Sequence, residues 1–342
     1  MLSRLFKRKP VQTYTVRVEH SGGVTDFCTP ENKTLLESAL QQSAPIPYSC
    51  QVGSCGECLC QITAGDIARL KDLSYMLEPE QLQKGYTLAC QTYARSPITL
   101  RVGVGLSEQQ PASITDVAFY GDELMVAQIH IAGQFAAKVG QYIAITNAEG
   151  VQRSYSIVRI TSLPAHTELE IHIALKPDGR MSQWWREVAQ SSITPTTITV
   201  NPAQGCYAPR YKQDIVAIAS SSGLGVTAAL VARHLAEHAD QTATLIALTK
   251  PNEQSYLNWL RQQHFDTLEN RVHVAQPCRD AYFSNPAQIL APFVGELSKK
   301  ARCADSMPVG LICGSPRLIS TTAEAFSQLG ISRDRVSYDE FI

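Results

Sequence analysis

No stretch of this 342-residue chain approaches the run of about 18 apolar residues that a membrane-spanning helix needs. "IVAIA" at 215–219, among the most apolar runs, is only strand-sized. Charge of one sign is equally scarce. Thirty Lys and Arg against 31 Asp and Glu leave a net charge of −1, so no global field recruits nucleic acid. There is no internal repeat and no low-complexity tract. The basic start, "MLSRLFKRKP", lacks the apolar segment of a secretory signal, and residues 1–10 read as a solvated tail. Ten cysteines are too few to staple a chain of this length with disulfides. A reducing, cytoplasmic setting and a metal role for some of the thiols are the expectation.

What is present is a local surplus. "SCQVGSCGECLC", residues 49–60, holds four cysteines in twelve positions. Cys50, Cys55 and Cys58 form C-x4-C-x2-C, and Cys90 follows in "TLAC", which is the plant-type [2Fe–2S] ligand spacing. Soft thiolates suit iron, and Gly53 and Gly56 let the backbone fold tightly so that amide N–H groups face sulfur. A disulfide between such near neighbours is strained. Zinc more often takes paired C-x2-C knuckles. A reactive Cys55–Cys58 dithiol belongs at a helix start in a thioredoxin-like setting that is absent here. Cys60 reads as a spare strand residue pointing away, and Cys28, Cys206, Cys278 and Cys303 as small hydrophobes.

Periodicity divides the chain. "TYTVRV" alternates as a strand, and Thr34 with Glu37 forms a capping box ahead of a helix carrying Leu35, Leu36, Ala39 and Leu40. "QITAG", "TLACQTY" and "ITLRV" complete a small β-rich unit over 11–104. "GLSEQQPAS" reads as a linker, bounded at 105–112. Short, regularly spaced strands follow over 113–210: "ELMVAQIHI", "QYIAI", "SYSIVRI", "LEIHIAL" and "TTITV". They suggest an antiparallel barrel, interrupted by a helix that Ser182 caps in "GRMSQWWREVAQ". From 211 to 342 strands alternate with helices, the pattern of a doubly wound parallel sheet. The fold class is therefore multidomain α+β and α/β.

With "YSCQVGSCGECLCQITAGDI" and "TLACQT" on the page, the first hundred residues resemble a plant-type ferredoxin domain, whose fold is a β-grasp. The remainder resembles the ferredoxin–NADP reductase superfamily. The whole order is similar to the NADH-dependent reductase components of bacterial multicomponent oxygenases. "RSYSI" matches that family's flavin motif, which implies Arg153 on the FAD pyrophosphate, Tyr155 against the ribityl and ring, and Ser156 near the flavin N5. "GRMSQW" matches a second flavin element, with Gly179, Met181 and Ser182 presenting a helix N-terminus to phosphate. "GQYIAI" and "NPAQGCY" resemble barrel landmarks, although Val139 stands where proline is usual. "SSSGLGVT" sits between a strand and a helix, as a phosphate-cradling turn must. Gly223, Gly225 and Thr227 keep the nucleotide pattern, whereas Ser222 replaces a glycine and Ala228 a proline. The resemblance further implies Cys313 and Gly314 of "CGSP" beside the nicotinamide, and Phe341 of "SYDEFI" as a lid over the flavin.

These implied parts serve one task. A nicotinamide releases two electrons together and an iron–sulfur cluster accepts one, so FAD must stand between NADH and the cluster. Ser156 and Cys313 are the expected catalytic positions, polarising rather than reacting covalently. The acceptor implied is a separate terminal oxygenase or hydroxylase. Two alternatives stay open: the similar reductase of a deoxysugar dehydratase system, and a redox-sensing iron–sulfur flavoprotein with an impaired nucleotide site. The resemblance implies NADH, with NADPH left open. Lys250 in "LIALTKPNEQ" reads as a solvated strand-end residue rather than a phosphate ligand, and Glu253 lies a few residues beyond it.

Overall fold

The computed structural model describes residues 11–20, 22–48, 53, 56, 58–73, 77, 79–103, 109–191, 195–205, 207–209, 211–268, 270–299 and 307–341. Two compact units divide the chain, Met1–Ser107 and Glu108–Ile342.

In the first unit, β1 (Thr13–His20) and β2 (Gly23–Pro30) form a hairpin whose alternation buries Val16, Val18 and Phe27. Helix α1 (Leu35–Gln41) starts where the capping box predicts. The Glu37 N–H donates to Thr34 Oγ1 at 3.2 Å and the Thr34 N–H to Glu37 Oε2 at 2.7 Å, so two helix-start donors are satisfied. Strands β3 (Leu59–Ala64), β4 (Ile67–Arg69), β5 (Tyr86–Leu88), β6 (Thr92–Ala94) and β7 (Ile98–Val102) follow, with a short helix α2 (Pro79–Gln83). The main sheet runs β2-β1-β7-β3-β5, with β1 and β7 parallel, and Leu35, Leu36 and Ala39 of α1 join its core.

The second unit opens with a closed antiparallel barrel in the order β10-β11-β12-β9-β8-β13. Its strands are β8 (Gln110–Phe119), β9 (Leu124–Ala132), β10 (Tyr142–Thr146), β11 (Gln152–Ser162), β12 (His166–Ala174) and β13 (Thr196–Val200). Inward-facing Ile129, Ile131, Ile143, Ile145, Leu169 and Ile171 fill it. Strand β8 begins inside the stretch expected to be linker: Gln110 pairs with Val200 and Ala112 with Ile198. The composition is polar, but Ala112 and Ile114 alternate inward, and closing the barrel recruits the segment. Helix α3 (Arg180–Gln190) packs Met181, Trp185 and Val188 on the barrel core. Its cap is Gly179, not Ser182. Ser182 lies in the first turn, and its Oγ accepts from the Lys176 N–H at 2.9 Å.

A five-stranded parallel sheet completes this unit, built from β14 (Ile215–Ser220), β15 (Ala243–Leu248), β16 (Val272–Ala275), β17 (Val309–Gly314) and β18 (Val336–Glu340). Helices α4 (Gly223–Glu237) and α5 (Gln254–Phe265) share one core with its strands. A second core gathers residues of α7 (Pro286–Ser298) and α8 (Pro316–Gln328), beside a short α6 (Arg279–Ser284). The order β16-β15-β14-β17-β18 reverses between β14 and β17. That reversal is a topological switch point, where open α/β sheets bind ligands beyond the strand C-termini. No helix among the described residues is long and apolar enough to cross a membrane.

Candidate functional site

The cysteine loop enters β3 through Cys58, while Cys90 occupies a single 3-10 turn, Ala89–Gln91, directly after β5. Pairing of Leu59 with Leu88 brings the two together. The Ala89 N–H donates to Cys58 O at 2.9 Å, and the Cys90 N–H to Cys58 Sγ at 3.5 Å. The Gln91 side-chain amide donates to Cys90 Sγ at 3.5 Å. Gly53 and Gly56 take φ of 85° and 73°, a left-handed backbone in which glycine is favoured. Its hydrogen bond with Cys90, and burial, hold the Cys58 thiol far above its usual pKa. The buried Cys58 sulfur therefore resists ionising until a cation compensates it, while the N–H donors at Cys58 and Cys90 already suit thiolate. This donor set fits an iron–sulfur cluster. Cys50 and Cys55 lie outside the described residues.

Cys60 is a fully buried residue of β3 that donates to Thr87 O at 3.6 Å, and burial pushes its thiol up to about 12. The expectation that Cys28 and Cys278 are small hydrophobes fails, because both are exposed free thiols. Cys28 occupies an outward position of the β2 alternation, and Cys278 immediately precedes α6. Cys206 and Cys303 fall outside the described residues.

In the barrel, alternation along β11 leaves Arg153 exposed and buries Ser156. The Trp185 indole of α3 donates to Tyr155 Oη at 2.8 Å, with the rings edge-on at 5.9 Å, so the helix fixes the Tyr155 ring. Burial raises the Tyr155 phenol, which stays neutral. Arg153 donates to Gln152 O at 2.6 Å and has no carboxylate partner among the described residues. A cation held beside an oriented aromatic ring suits a flavin pyrophosphate. Gly179 and Ser182 stand at the first turn of α3, and Met181 is buried beneath it.

The switch point gathers the rest. Ser221 adopts φ of 54°, whereas Ser222 lies in right-handed helical backbone at φ −59°. Serine in place of the family's glycine is therefore unstrained at 222. At Gly223 a Cβ would stand 2.8 Å from Cys313 Sγ and 3.0 Å from the Phe341 ring, so the turn, the β17 end and the chain's last aromatic converge there. The Phe341 N–H donates to Gly314 O at 2.8 Å. Burial raises the Cys313 thiol well above its usual range, and Thr227 hydrogen-bonds it. Thr227 Oγ1 also lies 3.2 Å from Tyr207 Oη. Gly225 faces the other way, onto His172 of β12.

One residue missed by the sequence reading joins barrel to sheet. Asp339 of β18 accepts from Ser156 Oγ at 2.7 Å, across 183 positions of sequence. Burial pushes its carboxyl up to about 6 even though the Ser156 bond favours the charged form. The signal was an acid two residues before Phe341 in "SYDEFI". Lys250, expected to be solvated, instead pairs with Glu123 beside the barrel, and its N–H donates to Glu253 Oε2 at 2.8 Å. The Glu123 carboxylate, located just before β9, reaches the end of β15 and captures it.

Residues 18–95 match the 2Fe-2S iron-sulfur cluster binding domain family. A vegetative ferredoxin of Trichormus variabilis is 36% identical over 91 residues, 26% of this chain and 90% of the ferredoxin. The chain belongs to that family. As a member of the 2Fe-2S iron-sulfur cluster binding domain family, it carries Cys58 and Cys90 inside the matched segment, which sets aside zinc and a lone dithiol. Likeness extends over the reductase part too. The xylene/toluene monooxygenase electron transfer component of Pseudomonas putida is 23% identical over 350 residues, 99% of this chain and 96% of the relative. The solved ferredoxin reductase in carbazole 1,9a-dioxygenase superposes with a TM-score of 0.59 at 20% identity, covering 97% of this chain and 99% of that one. The barrel and parallel sheet therefore have the ferredoxin-reductase fold.

Proposed function

We propose that this chain is an NAD(P)H:acceptor oxidoreductase that takes electrons from NADH and delivers them singly to a separate terminal enzyme, an oxygenase or hydroxylase. The convergence of Ser156, Asp339, Cys313, Gly223 and Phe341 carries the reading, because it joins a barrel motif suited to flavin with the nucleotide switch point. Bound FAD supplies the conversion of a two-electron donor into single electrons, and a [2Fe–2S] cluster the one-electron exit. Cys50, Cys55, Cys58 and Cys90 hold the cluster. Residues 11–104 form its domain, the flavin domain runs from Gln110 at the start of β8 to residue 210, and residues 211–342 form the nucleotide domain.

Arg153 neutralises pyrophosphate, joined by the first-turn amides of α3 at Gly179, Met181 and Ser182. Tyr155, oriented by Trp185, gives the flavin a fixed aromatic wall. Ser156 Oγ commits its proton to Asp339, so toward a bound flavin the hydroxyl would act as an acceptor. Cys313 remains a neutral thiol that excludes water from the nicotinamide side. Phe341, held beside Gly223 and Gly314, would cover a bound flavin on the nucleotide side. Pairing of Lys250 with Glu123 supports NADH over NADPH, since that cation is already engaged. Exposed free thiols at Cys28 and Cys278 support a reducing, cytoplasmic location.

Purified holoprotein is expected to reduce cytochrome c with NADH. Cys90→Ser is expected to lose iron and labile sulfide and that activity, while keeping bound flavin and its bleaching by NADH. Cytochrome c reduction at the wild-type rate by the cluster-free variant contradicts the proposed exit route.

A further inference from the structure

The outer face of β12 behaves unlike that of an ordinary barrel strand. Leu169, Ile171 and Ile173 point into the barrel, and Glu168 is exposed, yet Glu170 and His172 on the outward face are 2% and 5% exposed. The nucleotide half covers them. His172 Nδ1 lies 2.6 Å from Tyr256 Oη of α5, and His172 Nε2 lies 3.1 Å from Glu170 Oε1. Glu170 can only accept, so Nε2 carries the proton and Nδ1 accepts from the Tyr256 hydroxyl. Glu170 Oε2 in turn accepts from the Gln128 side chain at 2.9 Å, with the Arg159 guanidinium at 3.7 Å. Every polar atom along this buried line has a partner.

At the other end is the nucleotide turn. A Cβ at position 225 would fall 1.8 Å from His172 Nδ1, so the imidazole occupies the space that Gly225 leaves. The Gly225 amide, 3.2 Å from Ser222 O, also hydrogen-bonds the Tyr256 oxygen. A continuous path therefore runs from a barrel carboxylate to the backbone of the turn. Trp259 and Tyr120 wall it, with the His172 and Trp259 rings 5.6 Å apart. Burial lowers the His172 pKa against the opposing pull of Glu170, which keeps the ring neutral. The charged or titratable groups facing it are Glu170, Arg159, Tyr256 and His264.

We propose that His172 and Tyr256 are positioning residues, forming a hydrogen-bonded strut that fixes the Gly223–Gly225 turn against β12, the neighbour of the strand β11 that carries Tyr155 and Ser156. This donor–acceptor chain adds a directional constraint on the turn to the Ser156–Asp339 and Lys250–Glu123 links that also join the two halves. Electron transfer as hydride is sharply sensitive to such registry, because a displacement of about 1 Å at the reacting centre costs on the order of a hundredfold in rate. The inference rests on the NAD(P)H-to-flavin reading above.

The test compares full-length holoprotein with Tyr256→Phe and His172→Leu. Both are expected to keep flavin and cluster absorbance. Amide hydrogen exchange in the segment spanning 221–226 is expected to quicken in each. The limiting rate of flavin reduction at saturating NADH is expected to fall about tenfold or more, with a smaller change in the half-saturating NADH concentration. His172→Gln, which retains a donor and an acceptor, is expected to recover part of both. Tyr256→Phe removes a single oxygen and decides the matter if His172→Leu fails to fold. Wild-type exchange and wild-type limiting rate in Tyr256→Phe overturn the strut. Failure of the wild type to be reduced by either nucleotide overturns the functional reading instead, and the exchange comparison still tests the strut.

Discussion

Burial and hydrogen bonding pull Asp339 in opposite directions, and burial wins. A carboxyl with an ordinary value of 3.8 is pushed up to about 6 in the fold. The folded state thus prefers the protonated acid. Its contribution to stability is full below about pH 4 and is lost as pH rises through about 6. Asp339→Asn cannot ionise and lacks that loss. The melting temperature of the variant relative to wild type is therefore expected to rise between about pH 4 and pH 6 and to level off above. A difference that stays flat across this window contradicts a buried, upward-shifted carboxyl. The same residue shows why part of the site was illegible: "SYDEFI" displays an acid and an aromatic, but only the closing of β18 beside the barrel gives the acid its serine partner. Gly225 is a similar case. Its pattern position was visible in "SSSGLGVT", yet the imidazole that requires a glycine there comes from β12, 53 positions earlier, and nothing local announces it.

At the scale of elements, local chemistry read well where it is self-contained. Helix α1 follows from Thr34 and Glu37, a box completed within four residues. Thr34→Ala removes the side-chain cap and is expected to destabilise the first unit by about 1 kcal/mol, leaving the melting of the reductase unit unchanged. Equal losses in both transitions would falsify the independence of the two units. Reading failed where an element depends on a distant partner. "QQPAS" has linker composition, but β13 supplies a ladder and turns it into the start of β8. Ser182 stood in a plausible capping position, but the Lys176 N–H claims its hydroxyl from within the chain entering α3, and Gly179 takes the cap. The neighbours of Lys250 in sequence give no sign of Glu123, which arrives from the barrel.

Across the whole molecule, architecture was more legible than geometry. The cysteine spacing, the regular short strands and the alternation of strands with helices each reflect a repeating physical constraint, and together they specify a ferredoxin domain followed by a unit with the ferredoxin-reductase fold. What spacing cannot encode is which faces meet. The strand order 3-2-1-4-5 of the parallel sheet places its switch point between β14 and β17, and β18 then carries Asp339 and Phe341 to that same end. Sequence order alone keeps Ser156, Gly223, Cys313 and Phe341 far apart, and the fold brings them together through Asp339 and the Gly223 turn. The most direct measurement of the account is an anaerobic titration of holoprotein, loaded with flavin, iron and sulfide, by NADH. The account predicts loss of flavin absorbance at stoichiometric nucleotide, accompanied by the paramagnetic signal of a reduced cluster. Flavin and cluster that both stay oxidised in excess NADH and NADPH contradict it.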